Sequence, residues 1–272
     1  MTAVSIPAPS AVPAIENPTS PVVTVRKLRV DYGDHTVLAG VDLDLYAGET
    51  VALLGASGSG KSTLMKSLTG FAPITGGSVH VAGRDVTALR TREQRQLRAQ
   101  VGQVFQQFNL IPRLSVLTNV LTGGLHTAGP INSIGGFSSD QRQLAMHYLD
   151  RVGIAHKAKD QARSLSGGQQ QRVAIARALM QQPHIVLADE PVASLDPKLA
   201  HSVLELLRDI ATEYKIPVLV SLHVLPLALR HSDRIVGLRQ GRMPISASTS
   251  ELDSERLLAL YEHEDPRHDD LT

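Results

Sequence analysis

Gly55-Ala56-Ser57-Gly58-Ser59-Gly60-Lys61-Ser62 decides the fold. It follows the apolar run Thr50 to Leu54, which reads as a short strand. It leads into Lys61 to Thr69, which reads as a helix with Gly70 suited to its C-terminal cap. Glycine, four residues, glycine, lysine and serine between a strand and a helix is the spacing of a phosphate loop. The glycines let backbone N–H groups ring the phosphates, and the helix N-terminus turns its positive end toward them. Lys61 supplies a charge for the β- and γ-phosphates, and the Ser62 hydroxyl is expected to ligate Mg²⁺. Gly55, Ser57, Gly58, Ser59, Gly60, Lys61, Ser62 and Thr63 are therefore the residues expected to hold ATP. The bland alternative, a chance glycine-rich turn, does not account for the strand before it and the helix after it.

On either side of the loop, β and α signals alternate. Val22 to Val30, Thr36 to Leu45, Val101 to Phe105, Ile185 to Ala188, Val218 to Leu222 and Arg234 to Leu238 read as strands. Pro197 to about Lys215 reads as an amphipathic helix with Leu199, Val203, Leu206, Leu207 and Ile210 on one face. Asp196 can cap it, and Pro197 sits in its first turn. Strands separated by helices imply an α/β layer with a mainly parallel sheet. The stretch 111–180 has little strand signal and reads as a helical insert in that core. Residues 1–21, rich in Ala, Pro and Ser, read as a disordered tail, and 263–272 as a loose polar one, leaving 22–262 as the folded domain.

Ile185-Val186-Leu187-Ala188-Asp189-Glu190-Pro191 is the second piece of chemistry. A buried apolar strand that ends in two adjacent carboxylates is unusual, because carboxylates avoid the interior unless paired or metal-bound. Asp189 suits the Mg²⁺ shell, and Glu190 suits a base that polarises the attacking water. Alone, the pair also fits a strand-end turn with solvated acids. Beside a phosphate loop the catalytic reading prevails.

The bulk numbers restrict the partners. Among 272 residues, 27 Lys and Arg stand against 26 Asp and Glu, a formal net charge of +1, which argues against a nucleic-acid protein held by bulk electrostatics. With no cysteine, disulfides and thiolate chemistry are excluded. The most apolar stretch, Ile216 to Leu229, is too short to span a bilayer and is broken by Ser221, His223 and Pro226. Work at a membrane would need other chains to cross it.

Leu165-Ser166-Gly167-Gly168-Gln169-Gln170-Gln171-Arg172 then precedes an expected helix from Val173 to Met180, a second anion-binding turn in one chain. This octapeptide resembles the signature motif of ABC-type ATPases. In that family, Ser166, Gly167 and Gly168 of one copy would close over the phosphate loop of another. The resemblance spans about Val23 to Glu262 with its motifs in family order. It implies a P-loop NTPase (RecA-like) core, an N-terminal antiparallel β subdomain and a helical signature subdomain. It further implies adenine stacking on Tyr32, Mg²⁺ and γ-phosphate sensing by Gln106, a dimer-crossing loop at Ser194-Leu195-Asp196, and a γ-phosphate contact from His223. Gln107 competes with Gln106, and family spacing favours the residue directly after Phe105.

Phe105 to Leu110, Arg113 to Leu117, Ala178 to Gln181, Ala188 to Pro197 and Leu238 to Gly241 look most like the ATPase subunits of phosphonate importers. That resemblance implies a homodimer on the cytoplasmic face of the inner membrane, bound to transmembrane permease subunits and served by a solute-binding protein. The groove near Gln106 and the segment Asn109 to Asn119 would receive a short permease helix. A phosphite, phosphate or polar amino-acid importer would use nearly the same cassette. One departure stands out, since Pro244-Ile245-Ser246-Ala247-Ser248 replaces the usual short strand and glycine turn after Met243.

Overall fold

The computed structural model describes residues 20–127 and 136–252. The tail expected over 1–21 therefore lies, except for its last two residues, outside the described residues, as does the one expected over 263–272.

The chain opens with a hairpin of two long strands, β1 (Val23–Tyr32) and β2 (His35–Leu45). β3 (Thr50–Leu54) enters the phosphate loop, and α1 (Lys61–Leu68) leaves it, with Gly70 following in the left-handed region. β4 (Ile74–Val81), the two-residue β5 (Arg84–Asp85) and α2 (Thr91–Ala99) precede β6 (Val101–Val104). The described residues between β6 and β7 then form three helices, α3 (Val116–Leu121), α4 (Ser139–Arg151) and α5 (Gly167–Leu179), with short 3₁₀ turns beside them. β7 (Ile185–Ala188), α6 (Pro197–Tyr214), β8 (Val218–Ser221), α7 (Leu225–His231), β9 (Arg234–Arg239) and β10 (Arg242–Ser248) follow among the described residues.

Two sheets result. The first is antiparallel, ordered β2-β1-β4-β5, and the second is ordered β10-β9-β3-β8-β7-β6. In the second sheet β9, β3, β8, β7 and β6 run parallel, and only β10 pairs antiparallel, at the edge. The central strands β3, β7 and β8 are buried throughout because both faces are covered. Alternate residues serve two cores. Ala52, Leu54, Val186, Ala188, Val218 and Val220 pack with the helices α3 to α6, whereas Val51, Leu53, Ile185, Leu187 and Leu219 pack with α1, α2 and the antiparallel sheet.

Three elements depart from the sequence reading. β4 was not expected, because Ile-Thr-Gly-Gly-Ser-Val-His-Val carries two strand-weakening glycines; it forms because β1 offers a long antiparallel edge from Val23 to Val30. Pro244-Ile245-Ser246-Ala247-Ser248 does form a strand, within β10. Its register shifts between Arg242 and Ile245, so Pro244 occupies an irregularity on an edge strand, where a missing N–H is tolerated. The signature helix starts at Gly167, not at Val173. Ser166 Oγ accepts from the Gln169 N–H while the Gln169 side chain accepts from the Ser166 N–H, at 3.4 and 3.0 Å. This reciprocal cap makes the two glycines the first turn of the helix.

Candidate active site

The strand order brings the loops that follow β3, β6, β7 and β8 to one edge of the parallel sheet, at the carboxyl ends of the strands, where open α/β sheets bind ligands. β3 delivers the phosphate loop, β6 delivers Gln106, β7 delivers Asp189 and Glu190, and β8 delivers His223.

Within the loop, Gly55 adopts φ +153, and a Cβ there would lie 2.3 Å from the Leu238 carbonyl oxygen and 2.6 Å from Ser59 Oγ. No side chain fits between the loop and β9. Ser57 and Gly58 are exposed, while Ser59, Gly60 and Lys61 are buried. Lys61 Nζ donates to the carbonyls of Gly55 and Ala56, at 2.6 and 2.9 Å, so its charge sits inside the ring of the loop. Thr63 follows Ser62 in the first turn of α1.

A chain of hydrogen bonds crosses from the loop to β7 and β8. Ser62 Oγ donates to Asp189 Oδ2 at 3.2 Å, and Ser221 Oγ donates to Asp189 Oδ1 at 2.7 Å. Ser221 Oγ also accepts from the Glu190 N–H at 2.8 Å. Glu190 sits in the left-handed region, φ +48, a conformation that needs such a hold in a residue with a Cβ. Its Oε1 meets His223 Nε2 at 2.5 Å. The Asp189 N–H donates to Val104 O at 2.9 Å and fixes the end of β7 against β6.

Ser62 and Asp189 present hydroxyl and carboxylate oxygens side by side, a donor set that suits a hard cation. Among the described residues, no three His, Asp or Glu side chains stand close enough to cage a metal by themselves. An ion held by one or two side chains together with phosphate oxygens and water matches this arrangement.

The other expected residues lie on other elements. Gln106 and Gln107 both occupy the exposed turn after β6. Tyr32, 46% exposed, ends β1 opposite His35. Its hairpin abuts the phosphate loop, since a Cβ on Gly60 would meet the Leu38 side chain and the Val37 carbonyl oxygen. Ser166, Gly167 and Gly168 face the turn before α6 instead. A Cβ on Gly168 would lie 2.9 Å from Leu199 Cδ1, and one on Gly167 would lie 3.5 Å from Leu195. Asp196 caps α6, its Oδ1 accepting from the Leu199 N–H at 3.0 Å. One chain thus carries a phosphate-side cluster and a signature turn packed on Leu195 and Leu199.

Two residues escaped the sequence reading. Ser221 ends a buried apolar strand, and a hydroxyl there must find partners; that signal was present, but the partner could not be named. Asn119 is fully buried in α3. Its side chain accepts from the Ile111 N–H and donates toward the carbonyls of Ile111 and Ser115, which fixes the turn 111–115.

The family model described as ABC transporter matches residues 38–193. The phosphonates import ATP-binding protein PhnC of Escherichia coli is 47% identical over 247 residues, covering 88% of this chain and 94% of its own. PhnC of Shigella flexneri is likewise 47% identical over 247 residues, with the same shares of the two chains. Among solved structures, cbiO1 of Clostridium perfringens, part of the ABC transporter complex cbiONQ, superposes with a TM-score of 0.78 at 27% identity, over 88% of this chain and 93% of that one. MJ0796, a bacterial ABC transporter cassette solved as a dimer, gives 0.72 at 33% identity, over 84% and 98%. A match that takes in the phosphate loop, the signature turn and the Asp189-Glu190 strand end, with relatives this similar over nearly their whole length, means that this chain belongs to the ABC transporter family as an ATP-binding cassette.

Proposed function

We propose that the chain hydrolyses ATP as a homodimer and thereby powers an importer of phosphonates. The hydrogen-bonded run Ser62–Asp189–Ser221–Glu190–His223 beside the phosphate loop carries the ATPase reading. The 47% identity to phosphonate-import subunits over 88% of the chain supports the cargo.

Two copies sandwich two ATP molecules. Each site takes Tyr32, the loop 55–63, Gln106, Asp189, Glu190 and His223 from one copy, and Ser166, Gly167 and Gly168 from the other, with Asp196 at the crossing. The nearest neighbours of the signature glycines are Leu195, Leu199 and Phe108 and not the phosphate loop of the same chain, which supports this shared site. Ser62, Asp189 and Gln106 would hold a magnesium ion accompanying the nucleotide, which would offset phosphate charge. Lys61 leaves its loop carbonyls for the phosphate oxygens. Glu190 orients the attacking water and takes its proton, and His223, against the same carboxylate, reads the γ-phosphate. Contacts to the γ-phosphate hold the dimer closed and hydrolysis releases them. The ATPase unit comprises 22–262, with 111–180 as its helical subdomain. Its groove at 109–119 receives a permease helix at the cytoplasmic face of the membrane; no helix among the described residues is long and apolar enough to cross one.

The Glu190→Gln chain should bind ATP with near-normal affinity, accumulate as a closed dimer and lose turnover. Wild-type turnover would sink the assignment of the base. For the cargo, the permease and solute-binding protein that co-purify with the chain decide the matter. A solute-binding partner that takes amino acids and ignores alkylphosphonates refutes the phosphonate reading.

A further inference from the structure

Between Gln106 and the turn held by Asn119, the backbone does something costly. Phe108 and Asn109 are consecutive non-glycine residues in the left-handed region, at φ +38 and +52. Asn109 also closes a tight turn, its N–H donating to the Gln107 carbonyl. Such a pair persists only where the surroundings over-determine it.

The surroundings are the signature helix. Arg177, in the last turns of α5, donates from Nη2 to the Phe108 carbonyl at 2.9 Å and from Nη1 to the Asn109 carbonyl at 2.5 Å. Burial pushes this guanidinium below its usual value, so it is a desolvated cation that donates to two backbone carbonyls. At the other end of α5, a Cβ on Gly167 would lie 3.8 Å from Phe108 Cζ, which places the Phe108 ring against the signature turn. One 13-residue helix therefore meets this loop twice, near its C-terminal end through Arg177 on the Phe108 and Asn109 carbonyls and at its N-terminal end through the Phe108 ring.

From this geometry we infer that Arg177 is a positioning residue that locks the signature helix to the loop carrying Gln106, so that a shift of Gln106 moves Ser166–Gly168 as one body. The inference rests on Gln106 contacting the nucleotide, as proposed above. A planar fork on two successive carbonyls fixes direction as well as distance, which a single flexible ammonium does not. Loss of the fork leaves each half of the site intact and uncouples them.

The test is steady-state ATPase of the full-length chain against ATP concentration, together with ATP affinity measured without turnover. Arg177→Met keeps the apolar stem and removes the fork. It should lower kcat about tenfold and bring the Hill coefficient toward one, with ATP affinity within about threefold of wild type. Arg177→Lys should recover part of both. Asn109→Pro forces φ negative at 109 on an exposed loop with the sequence of α5 unchanged, and should reproduce the Arg177→Met behaviour even if that variant folds poorly. Gln106→Ala is measured alongside. If Gln106→Ala impairs cooperativity while Arg177→Met and Asn109→Pro both match wild type, the lock is refuted alone. If Gln106→Ala also matches wild type, the role of Gln106 falls and the lock with it.

Discussion

Ser221→Ala is the sharpest perturbation of the phosphate-side cluster. The hydroxyl is fully buried, donates to the Asp189 carboxylate at 2.7 Å and accepts from the Glu190 N–H at 2.8 Å. A hydrogen bond to a charged group contributes about 1.5–3 kcal/mol, and an orphaned buried N–H costs about 1–3 kcal/mol. The two do not add, and Asp189 and Glu190 are only half-buried, so water recovers part of the loss. A net destabilisation of about 2 kcal/mol follows, which lowers Tm by roughly 4–8 °C in a chain of this size. The functional effect should be larger. The Ser221 hydroxyl pins the backbone of Glu190 in a left-handed conformation, φ +48, and without it the residue relaxes toward ordinary backbone. A displacement of about 1 Å at a catalytic group costs on the order of 100-fold in rate, so kcat should fall about 10- to 100-fold. ATP affinity should stay within about threefold, because the phosphate loop is untouched. Thermal unfolding by circular dichroism and steady-state ATPase on the same preparation measure both. A Tm within about 1 °C of wild type together with an unchanged kcat would show that the hydroxyl neither holds Glu190 nor matters to Asp189.

If Lys61 binds the phosphates as proposed, Lys61→Ala removes a charge-assisted contact of about 3 kcal/mol and should weaken ATP binding about 100-fold in a fluorescent-nucleotide titration. Gly55→Ala drives a Cβ to 2.3 Å from the Leu238 carbonyl oxygen at φ +153, so it should cost about 2–4 kcal/mol and lower Tm by roughly 5–15 °C in the absence of nucleotide. His231 is pushed down chiefly by burial and next by His201, whose Nδ1 lies 2.7 Å from its Nε2. A base held down in the folded state binds its proton more readily in the unfolded chain. Its stability contribution is therefore full above the ordinary histidine value of about 6.5 and is lost as pH falls through the depressed folded value. Denaturant midpoints measured from pH 8 down to 5 should fall over the acidic part of that range, and His231→Gln should flatten the fall.

The parallel core was legible because its strands are buried on both faces. Thr50 to Leu54 and Ile185 to Ala188 read as unbroken apolar runs, and the structure returns them with the same bounds. α6 was legible because Asp196, Pro197 and a single apolar face agree. The first turn of α5 was missed although Ser166 and Gln169 spell a capping box, because two glycines argue locally against a helix. A Cβ on Gly168 would lie 2.9 Å from Leu199, and that packing was invisible in the sequence. β4 and β10 were missed for a related reason. Their own residues are weak strand formers, and each exists because a neighbouring strand presents an open edge.

The sequence by itself determined the local pieces of this protein, a loop that can ring phosphates, a strand that ends in two carboxylates, and a helix start that presents free N–H groups. Spacing and side-chain chemistry act over a few residues, so they survive in one dimension. Only the tertiary structure decided that Ser221, 32 residues from Asp189, supplies the hydroxyl joining that carboxylate to the Glu190 backbone. It likewise decided that Arg177, 68 residues beyond Asn109, grips the loop after Gln106. Such contacts depend on strand order and on which face of a helix packs inward, and these are properties of the assembled sheet rather than of any segment in it.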